Sequence, residues 1–400
     1  MTPSENQPIV DGDIESWVEA QSEDISTYLL ELVDIETPTE EPDRFDRFFE
    51  QIATDLAALD MQVERTTGDE TGGWLEAWSG GTSPDGEIQL ILGHADTVWP
   101  QGTITERPPG IDGDRLQGPG ALDMKGGLTQ LVFALRALDA HALDPPLPIY
   151  VLVSSDEEIG SPESKPRIIE LAERANRVFV LEPADGPTGR IKIARKAAGT
   201  FTITIEGEAA HAGLDPEAGA SAIDELGQII PRLHALTETN AGVTVNVGEI
   251  DAGLRPNVIA PEARAEVDVR APTKADAAKT EDEIRSLSPT TPGTQITVDG
   301  GFARPPMERT PGNRLLWQRV QDIAQSMHLE LEGTRSGGAS DGNDASQHAP
   351  TIDGFGAVGD GAHQTYEYVE LPALRNRVSL LARCLLDDPL PASPEEELDE

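Results

Sequence analysis

Cysteine is nearly absent from this chain. Its one representative, Cys384, leaves no intrachain disulfide open and removes thiolates from any metal site the chain builds. Lysine is almost as scarce, with six positions (Lys125, Lys165, Lys192, Lys196, Lys274 and Lys279); the remaining cations are arginines. Together lysine and arginine number 30 against 72 acidic residues, a formal net charge of −42. Phosphate binding needs a basic footprint, so nucleic acid is not an expected partner. Nowhere does an apolar run approach the roughly 20 residues of a membrane span, and no membrane partner is expected. The polar, acidic stretch 1–14 lacks the basic start and apolar centre of a secretory signal. These absences predict a soluble, cytoplasmic protein.

Acid is what the chain has in excess, spread along its whole length rather than gathered in one tail. Self-repulsion of that size destabilises a compact fold at low ionic strength and is screened by salt. The composition therefore reads as halophilic, an adaptation to a salty cytoplasm, since solubility alone would not require so much charge. With 400 residues, 38% of them hydrophobic, the chain is long enough for two domains with real cores.

Apolar spacing predicts helices over about 14–35 and 43–59, strands near 62–66, 74–79 and 88–92, and a helix over 128–138. A strand at 149–153, a helix at 164–175 and a strand at 177–181 follow. Alternating strands and helices describe an α/β sheet, in which functional groups gather beyond the strand ends. Near Lys196 the pattern changes to strand 198–205, helix 220–236, strands 243–250 and 263–271, helix 275–287 and strand 295–300. That βαββαβ order is a ferredoxin-like unit. It interrupts the first α/β domain, giving expected boundaries of 14–196 and 304–388 for the two parts of that domain and 197–303 for the insert. The Pro- and Glu-rich stretch 389–400 is expected to be disordered.

Candidate chemistry starts at Gly93-His94-Ala95-Asp96-Thr97-Val98, directly after the buried strand 88–92. An imidazole at a strand mouth can bind a metal while a nearby carboxylate fixes its tautomer. Taken alone, His-x-Asp is weak evidence, because a histidine at a strand end is more often a hydrogen-bonded structural residue. Downstream come Asp123 in a glycine-rich turn, Glu157-Glu158 immediately after strand 149–153, Glu182 before Pro183, and His363. A short carboxylate in such a turn could bridge two cations, or could simply cap the helix that follows. Of two adjacent glutamates, one can ligate a metal while the other holds the attacking water as general base. Together these groups supply the His and carboxylate ligands of a two-metal hydrolytic centre.

Five ordered motifs resemble the co-catalytic zinc metallopeptidase family of glutamate carboxypeptidase, acetylornithine deacetylase and succinyl-diaminopimelate desuccinylase. They are Gly93–Val98, Gly118-Pro119-Gly120 through Asp123-Met124-Lys125-Gly126-Gly127, Asp156–Ser161, Leu181-Glu182-Pro183 and the late His363. The resemblance spans about residues 20–387 and is closest in pattern to glutamate carboxypeptidase. It implies that His94 and Glu182 bind one zinc, Glu158 and His363 a second, and that Asp123 bridges them; cobalt or manganese can substitute. Glu157 would be the general base, Asp96 would support His94, and a metal-bound water would be the nucleophile.

In the insert, Ala210-His211-Ala212-Gly213 resembles the family's lid histidine, which stabilises the oxyanion and in dimeric members comes from the partner subunit. Asn257, Arg270 and Arg304 fall where the resembling glutamate carboxypeptidase carries residues that hold the substrate's carboxylates. Gly338 lies in Ser336-Gly337-Gly338-Ala339-Ser340-Asp341, similar to a glycine-rich substrate loop but with Ala339 and Ser340 replacing a glycine and a threonine. The implied activity is hydrolysis of an amide next to a free carboxylate in a small peptide, or deacylation of an N-acyl amino acid. A homodimer joined through the lid domain is implied as well.

Overall fold

The computed structural model describes residues 13–80 and 86–394. The expectations for the stretch before residue 13, and for 395–400 of the acidic tail, lie outside the described residues. The chain is α/β and divides into two compact units. One comprises the chain up to Ile193, Arg309–Arg335 and the chain from Ser340 onward; the other is Ala194–Glu308 with Ser336–Ala339.

The first unit is built on a six-stranded sheet in the order Gln62–Thr66, Trp74–Trp78, Ile149–Ser154, Ile88–His94, Ala175–Val180, Thr351–Ile352. Its last four strands run parallel. From Ile88–His94 the chain winds through helix Gly126–Ala140 to Ile149–Ser154 on one side. It then passes through helix Lys165–Ala172 to Ala175–Val180 on the other. Such a reversal leaves a crevice beyond the carboxyl ends of the strands, because the two crossover helices diverge there.

Side-chain alternation assigns the central strands to two core layers. Ile88, Leu90, Leu92, Tyr150 and Leu152 pack into a smaller layer with Ile168 and Leu171. Ile91, Ile149, Val151 and Val153 pack into the larger one, built from the helices at 13–33, 45–57, 126–140, 311–326 and 371–386. The strands are therefore apolar on both faces, as parallel strands buried by helices must be. Gln89 and Arg177 are buried polar residues that satisfy each other there: the Gln89 amide donates to Leu147 O and Leu385 O, and its oxygen accepts from the Arg177 guanidinium.

Two features differ from the sequence expectation. The helix expected over 14–35 is two helices, Asp13–Ala20 and Ser22–Val33, broken at Gln21 with no glycine or proline to mark it. A four-stranded antiparallel sheet (Gly359–Asp360, Tyr368–Glu370, Arg115–Gln117, Gly110–Asp112) has no counterpart in the sequence reading. Strands of two or three residues are too short for any periodicity to register. Near the carboxyl end the chain stays docked through Leu390, which is buried and exchanges two hydrogen bonds with Asn176.

The second unit is an antiparallel sheet ordered Thr244–Ala252, Glu262–Ala271, Ala197–Glu206, Gln295–Arg304, the strand order of a ferredoxin-like fold. Helices Ala222–His234 and Lys274–Arg285 complete it. Phe201, Ile203, Ile205, Ala263, Ala265, Val267 and Val269 form its core with Leu226, Ile229 and Ile284. The alternate residues of the same strands, Thr202, Thr204, Glu266, Asp268 and Arg270, stay partly exposed. The period-2 pattern that identified the strands therefore also dictates one covered face.

Candidate metal centre

Three adjacent parallel strands end at the crevice of the first unit. Ile88–His94 delivers His94 itself, Ile149–Ser154 leads into the one-turn helix Glu157–Ile159, and Ala175–Val180 leads to Glu182. Two turns complete the set. Asp123 sits between Gly120 (φ +71°) and helix Gly126–Ala140, with a cis peptide to Met124. His363 follows Gly361 and itself adopts φ +61°. A left-handed conformation at a non-glycine residue costs about 1–2 kcal/mol, and it persists here where the small sheet holds both ends of the turn.

The donor atoms converge in two groups. His94 Nε2 lies 3.2 Å from Asp123 Oδ1 and 3.4 Å from Glu182 Oε1. His363 Nε2 lies 3.3 Å from Asp123 Oδ2 and 3.3 Å from Glu158 Oε2. Asp123 thus presents one oxygen to each histidine. Charge-assisted hydrogen bonds of this type are usually about 2.7–2.9 Å long, shorter than all four contacts. Ligands placed about 2.0–2.2 Å from a tetrahedral zinc-like ion stand roughly 3.3–3.5 Å apart, close to what is seen. The other oxygen of Glu158, Oε1, is buried without a hydrogen-bond partner. Glu157 also offers a carboxylate oxygen within 4.8 Å of donor atoms on His94 and Glu182. Geometry, the orphaned oxygen and an all-imidazole and carboxylate donor set fit a pair of divalent cations.

Electrostatics point the same way. Burial disfavours a charged His94, but the carboxylates of Asp123, Asp96 and Glu182 outweigh it and hold the imidazole well above its usual range. Asp123 and Glu158 raise His363 to about 10. Burial pushes Glu158 up. Asp123 is also buried, yet its two histidines hold it well below the carboxylate range. Both shifts favour positive charge at the imidazoles, where a cation would compensate the same carboxylates.

Asp96 does more than face His94. His94 Nδ1 lies 3.0 Å from the Asp96 main-chain oxygen and 3.4 Å from its carboxylate, which directs Nε2 toward Asp123 and Glu182. The Asp96 carboxylate also accepts from the backbone N–H groups of Glu157 (3.3 Å) and Glu158 (3.1 Å) and from Thr39 Oγ1. One buried side chain thus locks the acidic pair to the histidine strand.

Sequence reasoning missed Glu367. Only 2% exposed, its carboxylate accepts from the N–H groups of Gly120 (2.9 Å), Leu122 (2.9 Å) and Asp123 (3.1 Å) and from Trp99 Nε1 (2.9 Å). It holds the turn that aims Asp123. Four residues after His363 in a run without apolar periodicity, it gave no signal beyond its proximity to a candidate ligand. Lys192 was likewise passed over, and its Nζ lies 3.8 Å from Glu182 Oε2.

The remaining sequence candidates lie in the second unit. His211 is exposed; its Nδ1 accepts from the N–H groups of Gly213 (3.1 Å) and Leu214 (3.2 Å). Nδ1 is therefore the unprotonated nitrogen and Nε2 carries the hydrogen. Backbone pairing of Ala210 and Ala212 with Ile259 and Asn257 brings His211 and Asn257 into one loop cluster. Arg270 and Arg304 both register with Ala198, from strands on either side of it. Arg270 pairs with Asp268 at 2.8 Å, and Arg304 is buried. The Gly338 carbonyl accepts from Arg195 Nη1. The arginine pair sits at the Ala198 level, whereas the His211 loop lies past the opposite end of that strand at Glu206. Eight residues of strand separate the two levels, about 26 Å at 3.3 Å per residue.

Two histidines and several carboxylates gathered at the strand ends around one shared aspartate are the centre of a metal-dependent hydrolase. The family model for peptidase family M20/M25/M40 matches residues 90–387, and the chain belongs to that family. Carboxypeptidase G2 from Pseudomonas sp. (strain RS-16) is 28% identical over 375 residues, covering 90% of this chain and 88% of the relative. A succinyl-diaminopimelate desuccinylase from Methylobacterium sp. (strain 4-46) is 29% identical over 367 residues, covering 85% and 90%. The fold matches that of aminopeptidase PepT from Bacillus cereus (TM-score 0.75, 22% identity, 91% of this chain and 98% of that one). It also matches the dinuclear metal-binding peptidase YXEP from Bacillus subtilis (TM-score 0.67, 15% identity, 92% and 98%). Among the described residues no helix is long and apolar enough to cross a membrane.

If Glu367 aims Asp123, replacing its carboxylate should loosen the centre without emptying the core. Glu367→Gln places an amide group among N–H donors and is expected to weaken divalent-ion affinity about 10–100-fold. Competition against a chromophoric chelator measures this, and an unchanged affinity would remove Glu367 from the metal-supporting residues.

Proposed function

We propose that this protein cleaves an amide bond next to a free carboxylate, in the manner of a glutamate carboxypeptidase. The observation that carries the reading is the division of Asp123 between two histidines, each with its own glutamate. His94 and Glu182 would hold one zinc ion and Glu158 and His363 the other, with Asp123 shared; cobalt or manganese can substitute. When bound, such ions polarise the scissile carbonyl and acidify water. Glu157, whose carboxylate has donor atoms of His94 and Glu182 within 4.8 Å, accepts the proton of the attacking water and returns it to the leaving amine. Asp96 keeps Glu157 in place through its backbone N–H.

His211 donates its Nε2 hydrogen to the oxygen on which negative charge grows, the tautomer fixed by Gly213 and Leu214. Asn257, Arg270, Arg304 and Gly338 are assigned to the substrate, the arginines to its carboxylate. The separation of about 26 Å between the arginine level and the His211 loop within one sheet favours contributions from two chains to one small substrate. Exposed Leu214 (82%), Leu254 (72%) and Ile250 and the outer edge of strand Thr244–Ala252, the end strand of the sheet, suit a homodimer contact through this unit. The protein is assigned to a salt-rich cytoplasm on its composition. A second reading, N-acyl amino-acid deacylase, is supported by the desuccinylase relative over 85% of the chain.

Four measurements test this assignment. Glu157→Gln keeps the side-chain size and removes the proton acceptor, so metal content should survive while kcat falls roughly 10²–10⁴-fold; near-parental activity would reject Glu157 as the base. His211→Ala should lower kcat far more than it changes KM. Mixed with Glu157→Gln under subunit exchange it should recover activity, and no recovery despite exchange would reject the two-chain site. Raising KCl from low to molar concentration should raise Tm by screening the −42 charge; a flat or falling Tm would contradict the halophilic assignment.

A further inference from the structure

Beside the metal centre the first unit has a cavity of about 330 Å³ whose wall includes the ligand Glu158. Its apolar surface comes from Val98, Trp99, Pro100 and Ile159. Val98 is 43% and Ile159 58% exposed, although both directly follow buried residues of the catalytic turns or their ligands. Large apolar side chains left open to solvent beside a reactive centre mark a surface that is covered when ligand binds.

The charge of the cavity is one-sided. Glu40 and Glu41 line it, and no lysine or arginine does. Arg44 is engaged with Glu41 at 3.1 Å, and Arg107 stacks over the Trp99 ring at 3.9 Å; neither lines the cavity. Glu40 is exposed and makes no ion pair among the described residues. A free carboxylate entering this space would meet the Glu40 carboxylate and no lysine or arginine on the cavity wall.

We propose that this cleft is the subsite for the acyl half of the substrate and that it takes an apolar acyl group carrying no negative charge. The inference rests on the amide-hydrolase reading above. That reading requires one half of the substrate to carry a carboxylate, which needs cationic partners; a cleft with acidic and apolar walls suits the other half. Contact with Glu158 places the cleft next to the carbonyl that is attacked. Dicarboxylic acyl groups such as succinyl are selected against, so the same site distinguishes the carboxypeptidase-like reading from desuccinylation. Glu40 acts as the charge filter, and Val98 and Ile159 supply the apolar contact.

The test uses the full-length, metal-loaded enzyme and two shape-matched substrates, N-(4-methylpentanoyl)-glutamate and N-succinyl-glutamate. They differ chiefly in whether the acyl end is an isopropyl group or a carboxylate. The kcat/KM ratio should favour the neutral acyl group by at least about fivefold, and Glu40→Lys should shrink that ratio about threefold or more, within the range of an exposed charge contact. Glu40→Gln should give an intermediate ratio, and metal content measured on each variant shows the centre to be intact. A parental preference for succinyl, or a ratio that neither Glu40 variant moves, would overturn the subsite while leaving amide hydrolysis standing. Failure to turn over either substrate would instead overturn the underlying reading, and the subsite with it.

Discussion

Mutual repulsion among buried carboxylates is the constraint on which the rest of the structure depends. Asp123, Glu158 and Glu182 converge on two imidazoles within 3.4 Å, with Glu157 close by. In a partly desolvated crevice like charges at such distances cannot coexist without cations among them. Both histidines are driven toward protonation for this reason, and a pair of divalent ions would satisfy the same demand. The fold serves to hold that arrangement against its own electrostatics.

It does so with backbone amides and buried acceptors. Asp96 takes two amide hydrogens from the Glu157-Glu158 turn, and Glu367 takes three from the turn carrying Asp123. Each buried carboxylate is thereby solvated by the protein, and each also fixes a neighbouring ligand. Strand order supplies the remainder: the sheet reverses direction at Ile88–His94, so three successive strand ends open on one crevice.

The second unit obeys a simpler rule. Alternating residues bury one face of its sheet beneath two helices and leave polar residues on the other. Its proposed functional residues occupy two places far apart along the strands, the arginines at one end and the histidine loop beyond the other. A small substrate does not span both in one copy of this unit, and the proposed homodimer would supply one group from each chain.

Much of this was legible in the amino-acid order. Strand Ile88–His94, helix Phe45–Ala57 and the βαββαβ order of the insert followed from apolar spacing, because burial on one or both faces imposes a period that sequence retains. The candidate ligands were legible as acids and histidines placed just after such strands, and the family resemblance ordered them. Other features left no periodic trace. One is the break at Gln21; the sheet of two- and three-residue strands and the clamp of Glu367 on Asp123 are set by contacts between segments up to 255 residues apart. Nor could sequence show that Asp123 divides its oxygens between two histidines, or that Arg270 and His211 sit at opposite ends of one sheet. Local order records which side chains must be buried; only the folded chain decides which polar atoms then meet, because those distances depend on how distant segments pack.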